Sequence, residues 1–199
     1  ITALAQGDGF VEKKSEPALI DELLAISTFD PPAATTATQN AVESDLSQTS
    51  HDVDIPLNRK VLSYIELFQG NLRGFITEGL ARGSKYLPMI QDEFREQGLP
   101  LDLAYIPLIE SAFKNSARSR AKAQGMWQFI RTTGLEHGLK QNWYIDERSD
   151  PEKATKAAAQ YLRTLGNMFD NDWHLVMASY NGGPGRVQRA IRRSARENF

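Results

Sequence analysis

The sequence contains no cysteine and only three histidines among its 199 residues. The absence of cysteine excludes disulfides, thiolate catalysis and cysteine-ligated zinc in this chain. His51, His137 and His174 lack the spacing of a metal-ligand set, and no acidic cluster resembles a loop that binds a divalent cation. We therefore expect neither a metal nor another cofactor.

Long apolar runs are also missing. No stretch approaches the roughly 20 residues that a transmembrane helix requires, and the chain opens at Ile1 without a signal sequence. We therefore expect no membrane contact from this chain alone, and we interpret it as a processed or trimmed product.

Charge is divided unevenly along the chain. Residues 1–54 carry two basic and ten acidic residues, whereas residues 55–199 carry 21 basic and 15 acidic ones. The basic part suits an anionic polymer, and charge alone does not choose between nucleic acid and a carboxylate-bearing glycan strand.

The composition predicts a boundary near residue 55. Residues 1–55 read as an acidic, weakly structured leader, with a polar stretch, PPAATTATQN, from Pro31. Within the leader, residues 17–29 form either a short helix docked on the main domain or part of a disordered linker. We expect residues 56–199 to form the catalytic domain.

From Asn58 onwards the apolar spacing is helical, which predicts an all-α fold. A third helix ends at Gly98. Asp150-Pro151-Glu152 combines an N-cap, a proline in the first turn and an early acid, and it predicts a long central helix. Asp146 and Asp150 are therefore better explained by capping and loop bonding than by catalysis.

Glu110 lies inside the apolar face of a helix that we expect Asp102 to cap. It follows Ile106 by four residues and precedes Phe113 by three, so its side chain points where the apolar ones point. Loss of solvation raises the pKa of a carboxyl group, and a carboxyl protonated near neutrality suits general-acid catalysis. An isolated helical glutamate more often reaches solvent, so the neighbouring motifs decide the interpretation. Pro107 predicts an irregular turn just before Glu110.

Three motifs occur in register with this glutamate: Glu110-Ser111, Gly125-Met126-Trp127-Gln128-Phe129, and Tyr180-Asn181 before Gly182-Gly183. Together they resemble the lytic transglycosylase domain of the soluble-transglycosylase and goose-type lysozyme family, glycoside hydrolase family 23. The resemblance covers about residues 61–193. The second motif and the stretch from Asp146 to Glu152 are most similar to the membrane-bound lytic murein transglycosylase D subgroup. Trp127 and Arg131 stand where the wider family often has methionine and proline.

The resemblance implies a lysozyme-like helical domain with a substrate cleft, acting on peptidoglycan glycan strands. It implies cleavage of the β-1,4 bond between N-acetylmuramic acid (MurNAc) and N-acetylglucosamine (GlcNAc) with a 1,6-anhydromuramoyl product. Glu110 would be the catalytic acid and base. The implied substrate-binding residues are Ser111, Met126, Trp127, Gln128, Tyr180 and Asn181.

Two alternatives remain open from sequence: a hydrolytic goose-type muramidase using the same Glu110, and a non-catalytic peptidoglycan-binding module. Nucleic-acid binding is a more distant alternative. The resemblance also implies the bacterial periplasm or cell envelope, with outer-membrane association in a full-length protein. The lipid-bearing cysteine of such proteins is absent here, and we expect the subgroup's downstream glycan-binding modules to lie outside this chain.

Arginines recur on one side of the last predicted helix, at Arg186, Arg189, Arg193 and Arg196. A solvated helix face is the first interpretation of this spacing, and contact with a polyanion is the second.

Overall fold

The computed structural model describes residues 33–197, and this part of the chain is all-α, which confirms the predicted fold class. Extended pairing within it is limited to isolated antiparallel bridges, Arg118–Gln124, Gln124–Phe129 and Gln141–Asp146. Short 3₁₀ helices span Leu101–Tyr105 and Glu147–Ser149. The α-helices, in chain order, are α1 (Thr36–Gln48), α2 (Arg59–Gln69), α3 (Arg73–Gly83), α4 (Leu87–Gln97), α5 (Ile106–Ser111), α6 (Arg131–Glu136), α7 (Pro151–Met168), α8 (Trp173–Gly182) and α9 (Pro184–Glu197).

Helix α7 is the central structural helix, as the sequence predicts. The Asp150 carboxylate accepts hydrogen bonds from the backbone N–H groups of Glu152 and Lys153, and thereby caps the helix. Its alanines, residues 157–159, are almost fully buried and allow neighbouring helices to approach closely. Helices α4 and α8 both pack against α7, so α7 links the two sides of the core.

The predicted helix boundaries in the first half of the domain also hold. The Asn58 side chain caps α2 by accepting from the N–H groups of Lys60 and Val61. Gly98 ends α4 with a φ of 64°, a left-handed conformation that glycine adopts without strain. Phe94 of α4 lies within the core, 5.9 Å from the Trp127 ring between centroids.

Helix α1 lies within the stretch predicted as a leader, and its polar composition gave no helical signal. Its N-cap, Thr35, accepts from the Thr38 N–H, and Glu66 of α2 accepts from both the Thr35 N–H and the Thr38 hydroxyl. No residue of α1 is buried. The helix is therefore held at the surface by polar contacts. The helix expected within residues 17–29 lies outside the described residues.

The prediction that Asp102 caps the Glu110 helix is wrong. Asp102 lies inside the 3₁₀ helix Leu101–Tyr105, and α5 begins four residues later with Pro107 in its first turn. Because a proline in the first turn needs no backbone donor, the α-helix begins there and the preceding residues form a tighter turn. The irregular backbone predicted before Glu110 is therefore present, with the proline at its end.

Asp102 instead fastens residues 51–55 to the domain. Its Oδ2 accepts from the backbone N–H groups of Asp52 at 2.7 Å and Val53 at 3.1 Å, and Asp52 Oδ2 accepts from the Leu101 N–H at 2.8 Å. Val53 is buried in the core as a result. Residues 52 and 53, which the sequence analysis places at the end of the leader, thus contact the domain directly.

None of the helices in residues 33–197 combines the length and apolar character needed to cross a bilayer.

Replacing Asp102 with alanine should lower the free energy of unfolding by about 1–3 kcal/mol, because two backbone donors lose their partner. Urea denaturation of the two proteins measures the difference. Asp92→Ala is the matched control: Asp92 is exposed and pairs with Arg95 in the next turn, so its loss should stay within about 0.5 kcal/mol. Equal effects of the two substitutions would contradict the assigned role of Asp102.

Candidate active site

A cleft of about 650 Å³ lies between α5, the loop of residues 114–130, and helices α6, α7 and α8. Glu110, Gln128, Tyr180 and Asn181 line it, so the structure brings together four of the residues predicted from sequence. The other lining residues are Ser119, Arg120, Ala121, Ala123, Phe129, Ile130, Thr133, Tyr161, Gly182 and Gly183.

Glu110 lies in the last turn of α5. Among the cleft-lining residues of the described part of the chain, residues 33–197, it alone carries a carboxyl group. Desolvation raises the pKa of its carboxyl group from 4.5 to about 7, and no hydrogen bond or charge offsets this shift. The carboxyl is therefore half protonated near neutral pH. It can donate a proton, and once ionised it can accept one.

The backbone after Glu110 is strained. Ala112 and Phe113 have φ values of 49° and 58°, in the left-handed region that residues with side chains rarely adopt. Their N–H groups donate to the carbonyls of Leu108 and Pro107, and the Arg82 guanidinium donates to the Ala112 carbonyl. The fully buried Phe113 ring lies against Gly83, where a Cβ would come within 2.6 Å of it. These contacts hold the end of α5, and with it Glu110, in one orientation.

Tyr180 and Asn181 occupy the last turn of α8, as predicted from the glycines that follow. The Tyr180 hydroxyl donates to the Trp127 carbonyl at 2.7 Å, which ties α8 to the loop beside the cleft. Burial raises the pKa of Tyr180, and the negative charge of Glu110 raises it further. Tyr180 therefore remains a neutral hydroxyl beside Glu110, and the exposed Asn181 amide faces the cleft.

Gln128 lines the cleft in a left-handed conformation, with φ of 49°. Its Nε2 donates to the carbonyls of Gly125 at 2.6 Å and Ala117 at 3.2 Å, which fixes the orientation of the amide. Its Oε1 is buried and has no partner within residues 33–197. The Nε2 donors of Gln128 are thus bonded to protein carbonyls, and Oε1 is the atom of the amide that lacks a partner within residues 33–197.

Ser111, Met126 and Trp127, which the resemblance implies as substrate-binding residues, are buried in the structure. Their exposed fractions are 2%, 1% and 0%, and none of the three lines the cleft. Trp127 Nε1 donates to Thr155 Oγ1 at 3.0 Å, and Ser111 Oγ donates to the Met126 carbonyl at 2.9 Å. These side chains lie beneath the cleft. Their apolar surface is buried in the core, and the polar atoms of Ser111 and Trp127 are hydrogen-bonded within the protein.

A buried arginine holds the cleft loop in place. Arg148 pairs with both carboxylate oxygens of Asp146 at 2.6 and 2.9 Å, and its Nη1 donates to the carbonyls of Lys122 and Phe129. The backbone carbonyl of Arg148 lies against Gly125, whose φ is 83°. The arginine therefore lowers the pKa of Asp146, and the structural role predicted for this aspartate is confirmed.

Tyr161 of α7 is a cleft residue that the sequence analysis did not single out. Its ring lies 5.5 Å from Tyr180 and 4.9 Å from His137 between centroids, and it forms part of the cleft wall. Its helical spacing with Leu165 indicated only a buried stripe. Thr133 of α6 likewise gave no signal, since a threonine beside a cleft has no distinctive spacing.

Comparison with known proteins identifies the family of the domain. Residues 88–199 match the family described as transglycosylase SLT domain. The chain belongs to this family.

Two relatives illustrate the range of proteins that contain a similar SLT domain. The chain is 36% identical to membrane-bound lytic murein transglycosylase D of Escherichia coli (strain K12) over 138 residues, which are 69% of this chain and 30% of that protein. It is 34% identical to peptidoglycan transglycosylase gp16 of Escherichia phage T7 over 106 residues, 52% of this chain and 8% of the phage protein. The chain thus spans less than a third of the length of either relative.

Among solved structures, an inactive mutant of lytic transglycosylase Slt from Pseudomonas aeruginosa aligns with a TM-score of 0.44 at 27% identity. The alignment covers 51% of this chain and 17% of that one.

Gly125→Ala should destabilise the SLT domain severely, because a Cβ at this position would lie 1.8 Å from the Arg148 carbonyl oxygen. We expect a loss above about 3 kcal/mol in the free energy of unfolding. Gly138→Ala is the matched control, since Gly138 has the same φ of 83° with nothing within 4 Å of the added atom. Its loss should be about 1 kcal/mol, from backbone conformation alone. Similar losses in thermal unfolding would show that the contact with Arg148 is unimportant.

Glu110→Gln should stabilise the domain at alkaline pH. The folded-state pKa of about 7 exceeds the ordinary 4.5, so the native state holds a proton that the unfolded chain releases between these values. The stability linked to Glu110 is complete below pH 4.5 and is lost as the pH rises to about 7. Because glutamine needs no proton, the variant should be more stable than the parent at pH 8, by up to about 3 kcal/mol.

At pH 4 the two proteins should unfold at nearly the same temperature. The exposed Glu96 of α4 supplies the control, as Glu96→Gln should leave the pH dependence of the melting temperature unchanged. A difference between the Glu110→Gln variant and the parent that does not grow between pH 4 and pH 8 would disprove the desolvation of Glu110.

Proposed function

We propose that this SLT domain is a lytic transglycosylase, a carbon–oxygen lyase that acts on peptidoglycan. It cleaves the β-1,4 bond between MurNAc and GlcNAc and leaves a 1,6-anhydromuramoyl end. The observation that carries the proposal is a desolvated carboxyl group, Glu110, with a pKa of about 7 in a cleft between aromatic and amide side chains. Family membership supports the reaction class, and the names of the two relatives, a murein and a peptidoglycan transglycosylase, support the substrate.

In the first step protonated Glu110 donates its proton to the bridging oxygen. The bond between that oxygen and C1 of the muramoyl sugar breaks, and the GlcNAc alcohol departs with the proton. Positive charge then develops at C1, and the neighbouring 2-acetamido group stabilises it. Glu110 is left as a carboxylate in an apolar environment, where its basicity is high.

In the second step the Glu110 carboxylate accepts the proton of the C6 hydroxyl of the same sugar. The C6 oxygen attacks C1, closes the 1,6-anhydro ring, and returns Glu110 to its protonated state. Because nucleophile and electrophile belong to one sugar, the reaction is intramolecular and requires no activated water.

The other cleft residues orient the sugar. Tyr180 lies beside Glu110 as a neutral hydroxyl, with the Asn181 amide next to it. Gln128 forms part of the cleft wall, with its amide held in place by the Gly125 and Ala117 carbonyls. Ser111, Met126 and Trp127 support these groups from below.

A hydrolytic muramidase would normally use a second carboxylate to activate water. The two candidates, Asp146 and Asp150, are occupied in bonding Arg148 and in capping α7. Within residues 33–197, Glu110 is the one cleft-lining residue with a carboxyl group. The intramolecular reaction needs a single carboxyl group, so it accounts for this cleft better than hydrolysis does. A non-catalytic binding module would have no use for the desolvation of Glu110. We accordingly assign the domain to the bacterial cell envelope, where its substrate lies.

Glu110→Gln should reduce turnover of purified sacculi by at least about 100-fold, because general acid–base catalysis contributes roughly 10² to 10⁴ in rate. The parent's kcat/KM should fall as the pH rises above about 7, where free Glu110 loses its proton. Mass analysis of the products tests the outcome, since an anhydro end is lighter by one water than a reducing end.

Glu136→Gln serves as the control, because Glu136 lies close enough to influence Tyr161 electrostatically but does not line the cleft. Its turnover should match that of the parent. Reducing ends in the product mixture would assign hydrolysis, and unchanged turnover by the Glu110→Gln variant would remove Glu110 from the reaction.

A further inference from the structure

Helix α9 carries a row of arginines that the proposed reaction does not use. Arg186, Arg189 and Arg193 follow each other at three- and four-residue spacing, so they share one side of the helix, and all three are exposed. The opposite side carries Val187, which packs against the core. The row therefore faces solvent along the length of α9.

The row begins at the end of the cleft. Gly182 and Gly183, which line the cleft, immediately precede α9. Helical side chains lean towards the helix N-terminus, and here that direction is towards the cleft. Arg186 Cδ lies 3.7 Å from the position of a Cβ on Gly182, and Arg189 Nη1 lies 3.5 Å from the same position on Gly185.

Among the side chains that the structure describes, residues 33–195, the ion pairs found involve other residues. Within that part of the chain the three guanidinium groups therefore offer positive charge without an acidic partner, in a region with excess basic residues.

We propose, on the basis of the proposed function, that Arg186, Arg189 and Arg193 bind the carboxylates of the stem peptides attached to the glycan strand. A guanidinium group pairs with a carboxylate through two parallel hydrogen bonds, which suits this ligand. The row extends about 10 Å, the length of about three extended residues. A short acidic peptide leaving a sugar in the cleft can lie along it.

An anionic lipid surface fits the helix less well. A basic amphipathic helix that binds a bilayer buries its apolar face in the lipid. In α9 that face is partly used within the protein, because Val187 packs against the core and α9 contacts α8, while Ile191 is 41% exposed. The arginine row lies on the polar side, and a soluble carboxylate-bearing peptide matches it.

The test is a triple variant, Arg186→Gln, Arg189→Gln and Arg193→Gln, made in a Glu110→Gln background so that substrate is bound but not consumed. Cosedimentation is measured with intact sacculi and with glycan strands stripped of stem peptides by an amidase. On intact sacculi the triple variant should bind about tenfold more weakly, equivalent to about 1.4 kcal/mol. On stripped strands it should bind like the Glu110→Gln parent. Raising the salt concentration should weaken the parent's preference for intact sacculi.

A matched control changes the same net charge elsewhere, with Lys60→Gln, Arg73→Gln and Arg163→Gln at exposed positions on α2, α3 and α7. It should bind both substrates like the parent, and thermal unfolding checks that both triples fold.

Equal binding of intact sacculi by the arginine triple and the parent would overturn the stem-peptide site. An equal loss on both substrates would also overturn it, since the arginines would then act on the glycan. The parent could also bind phosphatidylglycerol vesicles. If the arginine triple, but not the control triple, abolished that binding and still bound sacculi, the row would be reassigned to lipid. Failure of the parent to bind stripped strands would instead count against the proposed function itself.

Discussion

The guanidinium of Arg148 is buried between two loops and donates to Asp146 and to the carbonyls of Lys122 and Phe129. A buried charge is tolerated only when its donors are satisfied, so this network fixes the backbone on both sides of it. Gly125 packs on the Arg148 carbonyl with no room for a side chain. The loop that carries the Gln128 amide and the carbonyl bonded by Tyr180 is positioned by this one contact region.

Two energetically unfavourable features lie at the cleft, and a purely structural domain would have no reason to keep them. Glu110 is desolvated without a compensating partner, and the left-handed Ala112 and Phe113 follow it directly. Burial of the Phe113 ring and the hydrogen bond from Arg82 to the Ala112 carbonyl offset the backbone strain. Strain and unpaired polar groups persist where the surrounding packing over-determines them, and such places are commonly functional. The unpartnered Oε1 of Gln128 belongs to the same pattern.

Local signals predicted the helices well because caps and stops act within a few residues. Asn58, Asp150 and Gly98 each occupy the expected position. Asp102 had an equally good capping position, yet it bonds backbone groups some fifty residues away in sequence. Trp127, which the resemblance implies as a substrate-binding residue, is fully buried and bonded to Thr155. In both cases the side chain bonds to a residue that is distant in sequence. Local sequence patterns contain no information about such contacts.

The sequence by itself determined the all-α class, the carboxyl group that we propose as the acid, and the family motifs, since these depend on residue type and on spacing along a helix. It also placed Glu110 on an apolar face, which is enough to predict a raised pKa in direction. Only the tertiary structure decided which neighbouring motif residues reach the cleft. Whether a side chain faces substrate or core depends on the packing of α7 and α8 around it, and that arrangement arises from contacts between residues far apart in the chain.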